Sequence, residues 1–526
     1  MQIKRLCIDN HLCLVDFEIN FNTIYGGSST ILIGENGTGK STMLETILEI
    51  LMSFDSPAIE KEIDYNYHIE FEYAQCVNSI TKDGRNYRIT SGGNICQGSY
   101  SVVREFAEKE AIFPQRIIAF YSGANNKMSK HIAQVNNFYA RICRGTLTRF
   151  LKVMHDDAER FLPNFPKRKY NYCDEALTPI YLVSILCGHD TFEKEYLMKN
   201  CCFNDVEYVD MIINVDKVER MSGRGKFEGD IPTGLYYFTD FIDHRFTDLL
   251  RRGFRYSSRG KSVFEIQGID TIGVDSIAVL EFFEKLHTLF DAQFEVTVRQ
   301  GSSNVKCSKM SEGQRQLIKI LGMLGVSKTE DCLVLMDEPD AHMNPKWKYE
   351  IKDTMDKSLE SAINTQAIIA THDPLVINGV SKEFIRIFIH DQTRVNDNGY
   401  YFTQVVTPTE NTEGLGVDGL LQSEYYGLPS VLDNETKQKM ERRHDLLVKK
   451  KEGTITDYER HTLLALTNDL ENMTFARNIP TDSYYDEYVA AMHKIYSERP
   501  KVSLSAADIA ERNSKAEEIL KGLLGR

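Results

Sequence analysis

One stretch constrains this chain more than any other: Thr30-Ile31-Leu32-Ile33-Gly34-Glu35-Asn36-Gly37-Thr38-Gly39-Lys40-Ser41-Thr42. An apolar run of strand length ends in glycine, and a glycine-rich loop follows. Lys-Ser-Thr then opens a helical pattern over 43–52 with Leu44, Ile47, Leu48 and Leu51 on one face. The spacing is G-x-x-x-x-G-K-[ST], a P-loop. Its glycines let backbone N–H groups converge on phosphate oxygens, where a β-carbon would obstruct the loop. Lys40 is expected on the β/γ-phosphates of ATP and the Ser41 hydroxyl on Mg²⁺. Asn36, Gly37, Thr38, Gly39 and Thr42 complete the expected cradle, with the positive end of the helix behind them.

A chain that builds its sheet around such a loop is α/β. At 526 residues it has room for two to four domains. A net charge of −14 means that nucleic-acid binding would have to come from local patches. No apolar run reaches the length of a membrane span, and the first residues lack a signal-peptide core, so a cytoplasmic protein is expected. Eleven cysteines without C-x-x-C spacing read as reduced and buried.

Alternation over residues 2–22 predicts two strands before the P-loop. Tyr65–Tyr73 and Cys76–Ile89 read as further strands, with Asp83-Gly84 as a hairpin turn. Arg116–Tyr121 is a buried strand that runs into the polar loop Ser122–Asn126. Helical patterns dominate from about 128 to 260, at 132–155, 175–200 and 234–252, with one strand at Val206–Val215. A helix over 275–291 and a strand at Phe294–Val298 precede Met310-Ser311-Glu312-Gly313-Gln314, which opens another helix.

The second landmark is Leu333-Val334-Leu335-Met336-Asp337-Glu338-Pro339. Four apolar residues predict a buried parallel strand with two acids at its C-terminal end, where open α/β sheets bind ligands. Asp337 is placed to hold Mg²⁺, and Glu338 fits a general base for the attacking water. Gln366–Ala370 is another strand, and it ends in Thr371-His372-Asp373, which puts His372 within expected reach of the γ-phosphate. Beyond 433 the chain is charged and helical, with a break at Gly453.

These motifs together resemble an ABC-type ATPase of the SMC-like/RecF-like superfamily. Ser311, Gly313 and Gln314 match its L-S-G-G-Q signature, while Met310 and Glu312 differ. The family's D-loop is poorly matched by Asp340–Pro345, and its Q-loop is represented at best by Ser122–Asn126. The resemblance implies an ATPase head made of a mixed sheet with flanking helices. The implied domains are an N-terminal lobe at 1–127, a mostly helical insertion at 128–270, a C-terminal lobe at 271–432 and a helical tail at 433–526. It also implies a head-to-head dimer in which each signature meets the partner's ATP. Ser311 follows Lys40 by 271 residues, too far for a compact transporter ATPase of that family.

Within the superfamily the chain resembles the anti-phage ATPases of the Septu type, including retron-linked versions. That implies a sensor or regulator of a separate HNH-type nuclease, with a reverse transcriptase and its nucleic-acid product as further partners. No Asp-x-Asp follows His372, which argues against a fused Toprim nuclease. A DNA-repair ATPase and an ATP-bound scaffold with little turnover are the alternatives. Arg245, Arg251, Arg252, Arg255, Arg259 and Lys261, interleaved with Phe254 and Tyr256, form the densest basic stretch, which reads equally well as a nucleic-acid surface or as a solvated helix face with core aromatics. The tail, with Leu463, Leu466 and Leu470 in one stripe and Tyr484, Tyr485 and Tyr488 clustered, is the expected docking region for the nuclease.

Overall fold

The computed structural model describes residues 1–21, 28–122, 127–153, 165, 168–172, 175–187, 191–214, 231–258, 260–269, 275–327, 331–360, 365–395, 401–428, 432–471, 492 and 506–524. They divide into two compact units, residues 1–377 with 383–406, and residues 378–382 with 407–526.

The first unit is built on a seven-stranded mixed sheet. Its order is Tyr401–Val406, Ile385–Val395, Ser28–Gly34, Gln366–Ala370, Cys332–Asp337, Arg116–Tyr121 and Tyr170–Tyr172. All neighbours are parallel except the antiparallel pair Ile385–Val395 and Tyr401–Val406. The central strands are apolar throughout because both faces are covered: Ile31, Leu32, Ile33, Leu333–Met336 and Ala367–Ala370 are all buried. The register decides where chemistry can happen. Asp337 lies opposite both Ala370 and Tyr121, Ala370 opposite Leu32, and Phe388 opposite Gly34. The strand ends therefore line up along one edge of the sheet, and the P-loop leaves from it.

A second sheet is antiparallel: Leu14–Asn20, Gln2–His11, Tyr67–Tyr73, Cys76–Asp83, Asn86–Ser91 and Asn94–Gly98. The helix Lys40–Ser53 lies between the two sheets. Its Leu44, Ile47, Leu48 and Leu51 share one core with Leu6, Phe17, Ile69 and Phe71 of this sheet and with Leu333, Leu335 and Ile368 of the other. Consequently the helix is buried on every side, Glu45 and Glu49 included, and not on one face as its pattern predicts. Glu49 is held by the Tyr65 hydroxyl, 3.2 Å from its Oε2, and by His131, 3.6 Å from its Oε1.

Of the insertion's expected helices, 132–155 is found as Lys127–Val153, whereas 175–200 is two helices, Thr178–Cys187 and Phe192–Cys201, and 234–252 is also two, Thr233–Ile242 and His244–Gly253, the second started afresh by its cap Asp243. The insertion's expected strand, found as Phe203–Asn214, joins a five-stranded antiparallel sheet of which the sequence pattern marks only this strand and the one at Phe294–Val298. The order there is Phe254–Ser258, Lys261–Ile266, Phe203–Asn214, Gln293–Gln300 and Ser303–Lys306. This sheet crosses the boundary expected at 270/271, because Phe203–Asn214 pairs with Gln293–Gln300.

In the second unit, Asn434–Glu452 and Asp457–Glu471 form a helical hairpin around Leu446, Ile455 and Leu463. Gly453 turns the chain with φ 73°, a conformation that suits glycine. The continuous part of this unit runs from 407, so the boundary expected at 433 falls inside it. The clustered Tyr484, Tyr485 and Tyr488 lie outside the described residues, while Ala506–Leu524 is helical.

Candidate nucleotide site

The P-loop is held from behind. At Gly39, φ is 91°, and a β-carbon there would come within 2.8 Å of Cys13 Sγ and 2.9 Å of Leu14 Cδ2. Thr403 Oγ1 donates to the Thr38 carbonyl at 3.0 Å, and Thr38 Oγ1 donates to Glu35 O at 2.8 Å. Asn36 and Gly37 stay exposed at the top of the loop. Lys40 is buried, and its Nζ donates back to Gly34 O at 2.7 Å and Glu35 O at 3.0 Å. Burial pulls the Lys40 ammonium below its usual range, and the charges of Asp337, Glu338 and Glu35 oppose that.

Asp337 is buried at the end of its strand, hydrogen-bonded to the Ser41 side chain, with its Oδ2 atom without a hydrogen-bond partner. Burial pushes its carboxyl up to about 6; Glu338 adds to the effect, and Ser41 and Lys40 oppose it. An unpartnered buried carboxylate oxygen beside a serine hydroxyl is a fit for a hard cation. No group of three His, Cys, Asp or Glu side chains that could hold a metal occurs among the described residues. A cation here would therefore draw its other ligands from a bound phosphate and water.

Glu338 and His372 meet across neighbouring strand ends. Glu338 N–H donates to Ala370 O at 2.8 Å, which continues the parallel ladder by one step. Its carboxylate Oε1 lies 3.1 Å from His372 Nδ1. Both side chains are substantially exposed. Glu338 has φ 50°, an uncommon conformation for a residue with a β-carbon, which persists only where the surroundings enforce it.

The signature residues are explained first by local structure. The Gln314 N–H donates to Ser311 Oγ at 3.3 Å, and the Ser311 N–H donates to Gln314 Oε1 at 3.0 Å. This is a reciprocal capping box at the start of Glu312–Ser327. A β-carbon on Gly313 would meet His342 O at 2.8 Å, so glycine lets this helix approach the turn after Cys332–Asp337. Glu312 faces His342 at 3.4 Å, and Gln316 donates to Pro339 O at 3.1 Å. Ser311 itself remains exposed. The Ser122 N–H donates to Asp337 O at 3.3 Å, so the loop expected to act as Q-loop starts beside the acid; its residues 123–126 lie outside the described residues.

With this geometry in place, comparison with known proteins narrows the reading. The chain is 22% identical over 415 residues to "Retron Vc95 probable ATPase" of Vibrio cholerae serotype O1 biovar El Tor, covering 74% of this chain and 72% of that protein. It is 28% identical over 141 residues to "Septu protein PtuA" of Bacillus mycoides (strain KBAB4), covering 26% of this chain and 18% of that protein. The chain is thus similar to a retron protein described as a probable ATPase and, over a shorter stretch, to a Septu protein. Residues 230–378 match the family model described as "AAA domain, putative AbiEii toxin, Type IV TA system". Among solved structures, an SMC head bound to the C-winged helix domain of ScpA aligns at TM-score 0.35 and 14% identity, over 77% of this chain and 98% of that one.

The basic stretch looks different once folded. It is not one helix face: the helix His244–Gly253 ends where a β-carbon on Gly253 would meet Glu265 O at 2.8 Å, and Phe254–Ser258 continues as a strand. Arg245 is held by Asp243, with Nη2 2.6 Å from Oδ2. Arg255 donates to Glu265 Oε1 at 2.6 Å. Arg251 lies over the Tyr236 ring, 5.0 Å from its centroid, and 3.9 Å from Asp248. Arg252 donates to Asp248 O at 3.3 Å. Phe254 packs edge-on against Phe264, which removes it from a stacking role. Lys261 is exposed, and Arg259 lies outside the described residues. Pairing with acids leaves less free positive charge here than the sequence suggests.

Sequence reasoning missed the residues that support the site. Thr403 and Cys13 brace the P-loop from 365 residues downstream and from the first hairpin respectively. Asp340 and Thr371 stand next to recognised motif residues, and that adjacency was the signal available.

Proposed function

We propose that this chain is an ATPase that uses ATP and Mg²⁺ to control a separate nuclease in a bacterial anti-phage complex. The observation that carries the catalytic part is the convergence of Lys40, Ser41, Asp337, Glu338 and His372 at one end of the sheet. Lys40 and the loop N–H groups hold the triphosphate, and Ser41 and Asp337 hold the cation, which when bound neutralises phosphate charge. Glu338 accepts the proton of the attacking water, and His372, within hydrogen-bond reach of it, orients the water and the γ-phosphate.

The exposed Ser311 at a helix N-terminus suits the phosphate of a second copy's ATP, so we place each complete site between two heads. ATP then joins the heads and hydrolysis releases them. The relation to Septu and retron ATPases supports a role in defence. By resemblance to Septu-type systems the effector is an HNH-type nuclease docked on the helical tail, with a reverse transcriptase and its product as further components where a retron is present.

The test is ATP turnover of the purified chain with and without Mg²⁺, beside Lys40→Ala. Magnesium-dependent turnover that the variant loses supports the reading. Turnover that survives in Lys40→Ala refutes the assigned site.

A further inference from the structure

A charged network brackets Glu338 and His372 without including either. Thr371 Oγ1 donates to Asp340 Oδ1 at 2.8 Å, and the Asp373 N–H donates to Thr371 Oγ1 at 3.0 Å. Lys348 Nζ donates to Asp373 Oδ2 at 2.7 Å and lies 3.9 Å from Asp340 Oδ2. Asp340 follows Glu338 by two residues, and Thr371 and Asp373 are the two neighbours of His372. Asp340 and Thr371 are almost wholly buried, and the Lys348 side chain is 22% exposed. The remaining Asp373 oxygen, Oδ1, accepts from the Leu375 N–H at 2.9 Å and so fixes the backbone just past His372.

Two carboxylates this close repel, and one of them is buried. Burial alone disfavours the Asp340 carboxylate, and Asp373 adds to that; Thr371 and Lys348 oppose it. The lysine is the cation that lets both turns stay together. Its position is fixed by the helix Pro345–Leu359, capped by Asn344, whose Oδ1 accepts from the Trp347 N–H at 2.9 Å. That same first turn touches the signature: a β-carbon on Gly313 would lie 3.4 Å from the Trp347 ring. The left-handed Glu338 therefore sits on a turn whose next anchor is Asp340.

We infer that Lys348 is a positioning residue for ATP hydrolysis: by pairing with Asp340 and Asp373 it holds the Glu338 turn and the His372 strand end at their working separation. This rests on the ATPase reading above. It gives the helix Pro345–Leu359 a role in the chemistry though none of its side chains is expected to touch the nucleotide.

The experiment compares wild type, Lys348→Met, Lys348→Arg, Asp373→Asn and the double variant Lys348→Met/Asp373→Asn. It measures kcat for ATP, ATP affinity by equilibrium binding, and melting temperature. Misplacing a reacting pair by about 1 Å costs up to about a hundredfold in rate. Lys348→Met should therefore lose about ten- to a hundredfold in kcat while ATP affinity stays unchanged. Lys348→Arg should recover most of the rate, and the double variant should lose no more than the worse single one, since the two residues act as a unit. Equal kcat in wild type and Lys348→Met, beside a wild type that hydrolyses ATP, overturns the role of Lys348 alone. A loss confined to ATP affinity, or one that follows a collapsed melting transition in Lys348→Met and is not reproduced by Asp373→Asn, overturns it too. A wild type that binds ATP without turnover overturns the hydrolytic reading itself, and this role with it.

Discussion

His372 Nδ1 stands 3.1 Å from Glu338 Oε1, although the two residues are 34 apart in the chain. The parallel pairing of Asp337 with Ala370 produces this contact, because it sets the next residue of one strand beside the loop that leaves the other. The contact joins the expected base to the expected phosphate sensor.

Replacing Glu338 by Gln keeps the shape of that pair and removes the base. Turnover should fall by about a hundredfold or more. ATP should stay bound and the head dimer should persist, because the P-loop contacts are untouched. Single-turnover kinetics and size measurement in ATP check both parts. Undiminished turnover would remove Glu338 from the mechanism.

The composite site predicts complementation. Ser311→Arg and Lys40→Ala chains should each be inactive alone and regain up to one working site per heterodimer when mixed. Activity of Ser311→Arg as a monomer would mean that the site is complete within one chain.

Gly313→Ala should destabilise the first unit by about 1–3 kcal/mol, as overpacking against backbone does. The obstacle is the His342 carbonyl, 2.8 Å from the new β-carbon, and it cannot move as a flexible side chain could. A denaturant midpoint equal to that of wild type would contradict this packing.

Asp337 gives the ligand-free chain a pH signature. Its carboxyl is pushed from 3.8 up to about 6, so between those values the folded chain holds a proton that the unfolded chain has lost. Stability should therefore fall as pH rises through that window, by an upper bound of roughly 3 kcal/mol. Asp337→Asn should flatten the fall. Mg²⁺ binding should weaken below about pH 6, where the carboxyl keeps its proton. Melting temperature against pH, for both chains without nucleotide, is the measurement. Parallel curves would show that Asp337 does not titrate there.

Ending the chain after Leu432 removes the helical hairpin and everything beyond it. The shortened chain should bind ATP as the full one does and lose co-purification with the proposed HNH-type nuclease. Retention of the nuclease would move the docking surface to residues before 433.

The sequence by itself determined the elements whose residues repeat a local rule. The glycines of 34–39 announce a phosphate loop because few other residues tolerate the required φ, and φ is positive at Gly34, Gly37 and Gly39. Leu333–Met336 and Ala367–Ala370 announce buried parallel strands because both faces must be apolar. Asp337, Glu338 and His372 were legible because they stand at the ends of those strands. Tertiary structure alone decided what long-range approach creates. The burial of Lys40–Ser53 on all sides needs two sheets, and only one face of that helix is marked in its own pattern. In the five-stranded sheet two pairings are local hairpins that turn at Gly260 and Gly301, but Phe203–Asn214 meets Lys261–Ile266 and Gln293–Gln300 across intervening helices, and nothing local declares those two pairings. The fate of the arginines follows the same logic: whether Arg255 is free depends on Glu265, which arrives only through strand pairing. The Lys348 bridge is the clearest case, since its two carboxylates come from separate strand ends and the attraction exists only once the sheet has set them within reach.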